Sequence, residues 1–235
     1  MKRNNYFLIL LTLFSAIILM INPPAVYASG SQDSSKTSVT SDTPGLSVPT
    51  VKLVFFEGDV EINGKGAELG DEFKNKITVR TGENSYCDLV FAEKNAIRIT
   101  QNSFASLDFT SPLLQVDMQR GNITAVLRKL ASLDGQDRFR IKTPSAVAGV
   151  RGTSLCVWTD GTETYICTCN GTVHSVDFSG TFSFTTTAAH HSAKRFIKQG
   201  NSILVQNAGL EKHTDESVQA VANIIGEVID WDHVK

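Results

Sequence analysis

The sequence is short of several things, and each shortage removes a class of protein. Only 4 cysteines occur in 235 residues, too few for a small scaffold stapled by disulfides. Nothing after Ile21 approaches the ~20 consecutive apolar residues of a membrane-spanning helix. There is no basic excess: the formal charge is −2 and becomes −4 once the two basic and no acidic residues of 1–28 are removed, so nothing draws in nucleic acid. Gly-x-Ser-x-Gly, His-Glu-x-x-His, a Walker loop and a dinucleotide fingerprint are all missing. The acidic pairs Asp215-Glu216 and Asp230 with Asp232 read as capping and solvation. No reaction suggests itself, and the chain is expected not to be an enzyme.

What is present begins with an export pattern. Lys2 and Arg3 precede an apolar stretch from Tyr6 to Ile21, Pro23 and Pro24 interrupt any helix, and Val26-Tyr27-Ala28 offers a cleavage site after Ala28. Residues 1–28 are therefore expected to be a signal peptide, and the mature chain to lie in the periplasm or outside the cell. An uncleaved anchor is the alternative; a lipoprotein anchor is excluded because no cysteine lies near the cut. Residues 29–49 are Ser, Thr, Asp and Gly with almost nothing apolar, so they cannot offset their own ordering entropy and read as a flexible linker.

From Val51 onward short apolar runs alternate with turn signals every eight to twelve residues, the pattern of an all-β protein. Strands are expected at 51–56, 60–62, 77–80, 86–91, 96–100, 105–109, 114–118, 123–127, 139–141, 154–158, 164–169, 172–178 and 181–187. Asn63-Gly64 and Asp160-Gly161 supply hairpin turns, and Asn170-Gly171 reads as another. Residues 50–187 form the expected β-domain and 188–235 a C-terminal extension. Within the extension Val218, Val221, Ala222, Ile225 and Ile229 share one face of a helix over 215–229, capped by Thr214.

The cysteines carry the most specific chemistry. Strand alternation puts Cys167 and Cys169 on one face with Thr168 opposite, about 7 Å apart along the strand, too far to bond each other without distortion. His190 and His191 follow the next strand, whose antiparallel return brings them back toward the cysteines. Two thiolates and two imidazoles suit tetrahedral zinc or another soft metal. Haem iron is a further candidate, although the Cys-x-x-Cys-His of covalent haem is absent. The alternative is a disulfide from Cys156 to Cys167 or Cys169 across the Asp160-Gly161 hairpin, with Cys87 buried and both histidines exposed.

Thr143-Pro144-Ser145-Ala146-Val147-Ala148-Gly149-Val150-Arg151-Gly152-Thr153 resembles the most distinctive segment of FecR domains. Glu57-Gly58-Asp59-Val60, Leu69-Gly70-Asp71, Ile77-Thr78-Val79-Arg80-Thr81-Gly82 and Gly121-Asn122-Ile123 fit the same family in order. The resemblance spans Val51 to Phe178 and implies stacked short antiparallel strands, β-solenoid or sandwich-like, outside the cytoplasm. Pro144 holds Thr143 extended, Gly149 and Gly152 permit turns, and Arg151 can clamp loop carbonyls. The best-known FecR proteins relay siderophore signals to a sigma factor through a cytoplasmic N-terminal segment. Only about five residues precede the apolar run here, so the external module is the part expected to carry over.

Three readings remain. One is a binding or sensory module for an envelope protein, glycan or small ligand. The second is a metal- or haem-binding envelope protein, and the third a structural envelope component.

Overall fold

The computed structural model describes residues 49–92, 94–111, 113–128, 139–150 and 152–235. The signal peptide, the linker apart from Pro49, and Arg151 lie outside the described residues. In chain order the strands are Val51–Glu57 (β1), Val60–Ile62 (β2), Lys65–Gly66 (β3), Glu72–Phe73 (β4), Ile77–Thr81 (β5), Tyr86–Phe91 (β6), Asn95–Ile99 (β7) and Phe104–Asp108 (β8). They continue with Leu114–Leu127 (β9), Phe139–Lys142 (β10), Ala146–Val150 (β11), Ser154–Thr159 (β12), Glu163–Asp177 (β13), Ser183–Ala188 (β14), Ser192–Gln199 (β15) and Ser202–Ala208 (β16), followed by the helix Asp215–Ile224 (α1). The protein is all-β, as its alternation and turn chemistry require.

The strands lie in two layers. One runs β4-β1-β6-β7, then the C-terminal half of β9, β12, the N-terminal half of β13, β15 and β16. The other runs β3-β2-β5-β8, then the N-terminal half of β9, β10, β11, the C-terminal half of β13 and β14. The chain thus passes back and forth between layers while advancing along both, and neighbours in space stay near in sequence. Leu53, Ile97, Val157 and Phe196 of the first layer meet Val79, Val116, Ile141 and Ala148 of the second in one core. The outer face of the first layer is buried as well. There Ala96, Val126, Cys156, Tyr165, Cys167 and Cys169 lie beneath Val218, Val221 and Ala222 of α1.

Crossing between layers uses one device three times. Gly58, Gly121 and Gly171 each adopt a positive φ, and a Cβ there would fall 2.4, 2.0 and 2.8 Å from the hydroxyls of Ser85, Ser103 and Thr153. The amide after each glycine, on Asp59, Asn122 and Thr172, donates to that same hydroxyl at 2.8, 3.2 and 3.1 Å. A left-handed backbone turns the corner, and the absent side chain lets a buried hydroxyl replace a ladder hydrogen bond.

This device explains the main departures from the sequence reading. The strands expected at 114–118 and 123–127 are a single strand, β9, bent at Gly121, and Asn170-Gly171 is no hairpin turn but the bend within β13. Gly149 lies inside β11 rather than in a turn. β10 pairs with β9 in parallel, so the layers are not wholly antiparallel. The sheet also does not stop at Thr187: β15 pairs with β13, and β16 with β15. β15 buries only Ala193 and Phe196, on opposite faces, and β16 only Ile203, so neither shows a regular alternation. The helix ends at Ile224 rather than 229. Gly226, at φ 68°, closes it in a Schellman motif, its amide reaching Asn223 O and that of Glu227 reaching Ala222 O. No helix among the described residues is long and apolar enough to cross a membrane.

Candidate metal centre

Tyr165, Cys167 and Cys169 alternate along β13 toward α1, and both thiols are fully buried. β15 lies beside them, and the turn leading into it holds His191 at φ 45°. The His191 amide donates to Cys169 O at 3.1 Å, so the strained backbone is tied directly to the cysteine strand. From the other side, the segment between β16 and α1 carries His213 immediately before the cap residue Thr214.

The side chains converge. Cys167 Sγ lies 3.6 Å from His191 Nδ1 and Cys169 Sγ 3.2 Å from His213 Nε2. His213 Nε2 and His191 Nδ1 are 3.2 Å apart. All four ligand atoms fall within 4.8 Å of one another. His191 Nε2 meets Asp215 Oδ1 at 2.7 Å, where it donates to the carboxylate and leaves Nδ1 on the side of Cys167. His213 Nδ1 is buried with no partner among the described residues, so that ring's polar commitments lie on its inward edge.

The electrostatics follow from two thiols crowded together. The hydrogen bond from Cys169 is the largest influence on Cys167, and with those from His191 and His213 it outweighs burial and lowers the thiol to about 3. Burial and the neighbouring Cys167 thiolate push Cys169 the other way, well above the usual thiol range. Burial opposes charge on His191, but the hydrogen bonds to Cys167 and Asp215 prevail and raise it. Asp215 is pulled up by burial and more strongly down by both histidines, ending below the usual carboxylate range. Trp231 covers the cluster from the C-terminal segment, its ring 5.1 Å from that of His191. Tyr165, whose hydroxyl donates to Gly209 O at 2.9 Å, lies beside His213.

Of the four residues expected from the sequence, the structure brings together Cys167, Cys169 and His191. His190 does not join them: its ring is 51% exposed, against 10% for His191, and bonds to the second oxygen of Asp215 at 2.9 Å. Both rings lie against Asp215 with centroids 4.7 Å apart, but His191 is the one whose second nitrogen reaches Cys167 Sγ. The residue that sequence reasoning missed is His213. Its one signal is its position just before the helix cap, which is uninformative until β15 and β16 are known to carry the chain back over the cysteines. The cysteines are all free thiols. Cys156, directly opposite Cys167 in the ladder, donates to Asn122 Oδ1 at 3.0 Å instead of bonding to a second sulfur. Cys87 is buried in the core, and burial raises its thiol to about 12.

The residues of the expected motif turn have other duties. Thr143 Oγ1 accepts from Ala146 N at 3.0 Å and lies 2.7 Å from Thr164 Oγ1, closing the β10–β11 connection around Pro144. Gly152 turns the chain at φ 67°, and Thr153 Oγ1 both accepts from Thr172 N and donates to Thr172 O. They clamp strands together. Any clamp by Arg151 concerns a residue outside the described set.

No curated protein matches the sequence. Two crystal structures of a candidate anti-sigma factor from Parabacteroides distasonis, at 2.50 and 1.65 Å resolution, are similar at 14% identity with TM-scores of 0.47 and 0.46. The similarity covers 64% and 63% of this chain, which spans 65% of the length of each. Residues 77–174, from β5 through the corner at Gly171, match the model of the FecR protein family.

Proposed function

We propose that this protein is an exported, non-enzymatic module of the cell envelope that binds another envelope protein through the outer edge of its FecR-type layers. The observation that carries the reading is the β13–β14 hairpin. β14 pairs only with β13 among the described strands, leaving a row of backbone donors and acceptors open to an incoming strand. Phe178 and Phe182 at its tip are 67% and 40% exposed, and Phe182 stacks on Phe184 with centroids 6.4 Å apart. Aromatic side chains beside an open edge are the usual anchors of a protein interface. The N-terminal export pattern and the match to the FecR family support an extracytoplasmic location.

The test compares the full chain with a Phe178→Ser/Phe182→Ser double variant, each crosslinked in intact cells and recovered from the envelope fraction. A defined protein adduct that forms with the parent and is lost in the equally stable variant is the expected result. Identical adducts, or recovery of both from the cytoplasm, overturn the reading.

A further inference from the structure

We propose that Cys167, Cys169, His191 and His213 form a closed, structural zinc site that fastens the C-terminal segment and α1 to the outer face of the first layer. The site is independent of the β14 edge and stands or falls separately from it.

The spacing is that of a coordination shell without its centre. With zinc–sulfur bonds of about 2.3 Å and zinc–nitrogen bonds of about 2.0 Å, tetrahedral edges are about 3.3 Å between nitrogens and about 3.5 Å between sulfur and nitrogen. The observed edges are 3.2 Å between the imidazoles, and 3.2 and 3.6 Å from sulfur to nitrogen. Hydrogen bonding alone accounts for the group poorly. His191 has committed Nε2 to Asp215, yet its Nδ1 faces both a thiol and the Nε2 of a second imidazole. Four soft or borderline donors aimed at one point are satisfied together by a borderline-soft cation with no directional preference beyond the tetrahedron.

The surroundings identify the kind of site. Asp215 accepts from the outer nitrogen of His191, the carboxylate–histidine arrangement that fixes a metal-binding ring and makes it more basic. The thiols are fully buried, and Tyr165 and Trp231 close the flanks. All four corners are side chains of this chain, which is the composition of a structural rather than a catalytic zinc site. Binding expels the protons still held by the two thiols and leaves a neutral centre, two thiolates against a divalent cation.

Its consequence is mechanical. The ligands come from β13, the turn before β15 and the residue before the helix cap, so one ion joins the segment leading into α1 to a strand and turn already tied by the His191–Cys169 backbone bond.

The full chain, purified without chelator, should carry one zinc by elemental analysis. Chelator-stripped protein titrated with cobalt(II) alone should show the intense visible bands and thiolate charge transfer of a tetrahedral S2N2 site. Cys169→Ser and His213→Ala should lose the bound metal, whereas His190→Ala should keep it. Asp215→Ala, which alters only the outer shell, should weaken binding by about 10- to 100-fold. Wild-type protein with free thiols that gives only the weak spectrum of hydrated cobalt(II) overturns the proposal. So does a disulfide at Cys167 or Cys169, or a His213→Ala variant that binds as the parent does. The cobalt titration needs no variant to fold.

Discussion

His213 Nε2 approaches Cys169 Sγ to 3.2 Å across 44 residues of chain. Everything between them, the C-terminal half of β13, then β14, β15, β16 and their turns, returns the chain to the strand it left. If a zinc ion occupies this junction, stripping it should loosen these segments selectively. Hydrogen exchange after chelation is expected to rise in α1 and the turn before β15, and to stay unchanged in β5 to β8. Uniform change throughout, or none, would show that the junction is held by packing alone.

The corner glycines should be the least replaceable residues of the layers. Gly121→Val places a β-branched side chain at φ 106°, where even a Cβ would lie 2.0 Å from Ser103 Oγ, and should cost roughly 2–4 kcal/mol. Gly180→Ala has a positive φ of 72° but open space around it and should cost about 1 kcal/mol. Denaturant melts of the two variants measure the difference directly, and equal losses would contradict the corner mechanism.

Arg98 and Asp88 form a two-pronged ion pair between β7 and β6, both bonds 2.7 Å, with the carboxylate only 3% exposed. Arg98→Ala should destabilise by roughly 3 kcal/mol because the carboxylate remains buried without its partner. The double change Arg98→Met/Asp88→Leu should recover much of that loss. A thermodynamic cycle over the three variants reads the coupling.

Asp177 at the end of β13 supplies an acid-sensitive element. Burial raises its carboxyl, but hydrogen bonds from the Ser179 hydroxyl and from the amides of Phe182, at 2.6 Å, and Ser179, at 3.0 Å, lower it further, to a net position below the usual carboxylate range. With the folded value depressed, the unfolded chain binds the proton more readily. The stabilisation is therefore complete above the ordinary carboxylate range and is lost as pH falls through the folded value. Asp177→Asn should flatten the acid limb of the stability profile and leave the neutral limb parallel; an unchanged acid limb would assign the sensitivity elsewhere.

Export should leave Ser29 as the first residue of the mature protein, from the basic head, the apolar stretch to Ile21 and Ala28 at the cut. Terminal sequencing of the envelope-associated chain checks this, and an intact Met1 terminus in the membrane fraction would make the segment an anchor.

Local signals were legible wherever local physics controls the outcome. Asn63-Gly64 does turn β2 into β3 with both residues at positive φ, and Asp160-Gly161 joins β12 to β13. Thr214 caps α1 through the Ser217 amide. The same signals misled where a glycine served the layers instead of a hairpin. Gly121 and Gly171 look in sequence like turn residues, and only the hydroxyls of Ser103 and Thr153 behind them reveal corners within continuous strands.

The sequence by itself determined that the chain is all-β and that Cys167 and Cys169 share a face, because alternation along a strand is a property of the backbone and needs no partner. It also marked the FecR motifs and the residues of the cap. Only the tertiary structure decided which histidines meet those cysteines. Whether His190 or His191 faces inward depends on the register of β15 against β13, and His213 arrives through two further strands. Such proximity is set by the stacking of layers and by the apolar face of α1 on Val126 and Tyr165, long-range terms that no short window of sequence contains.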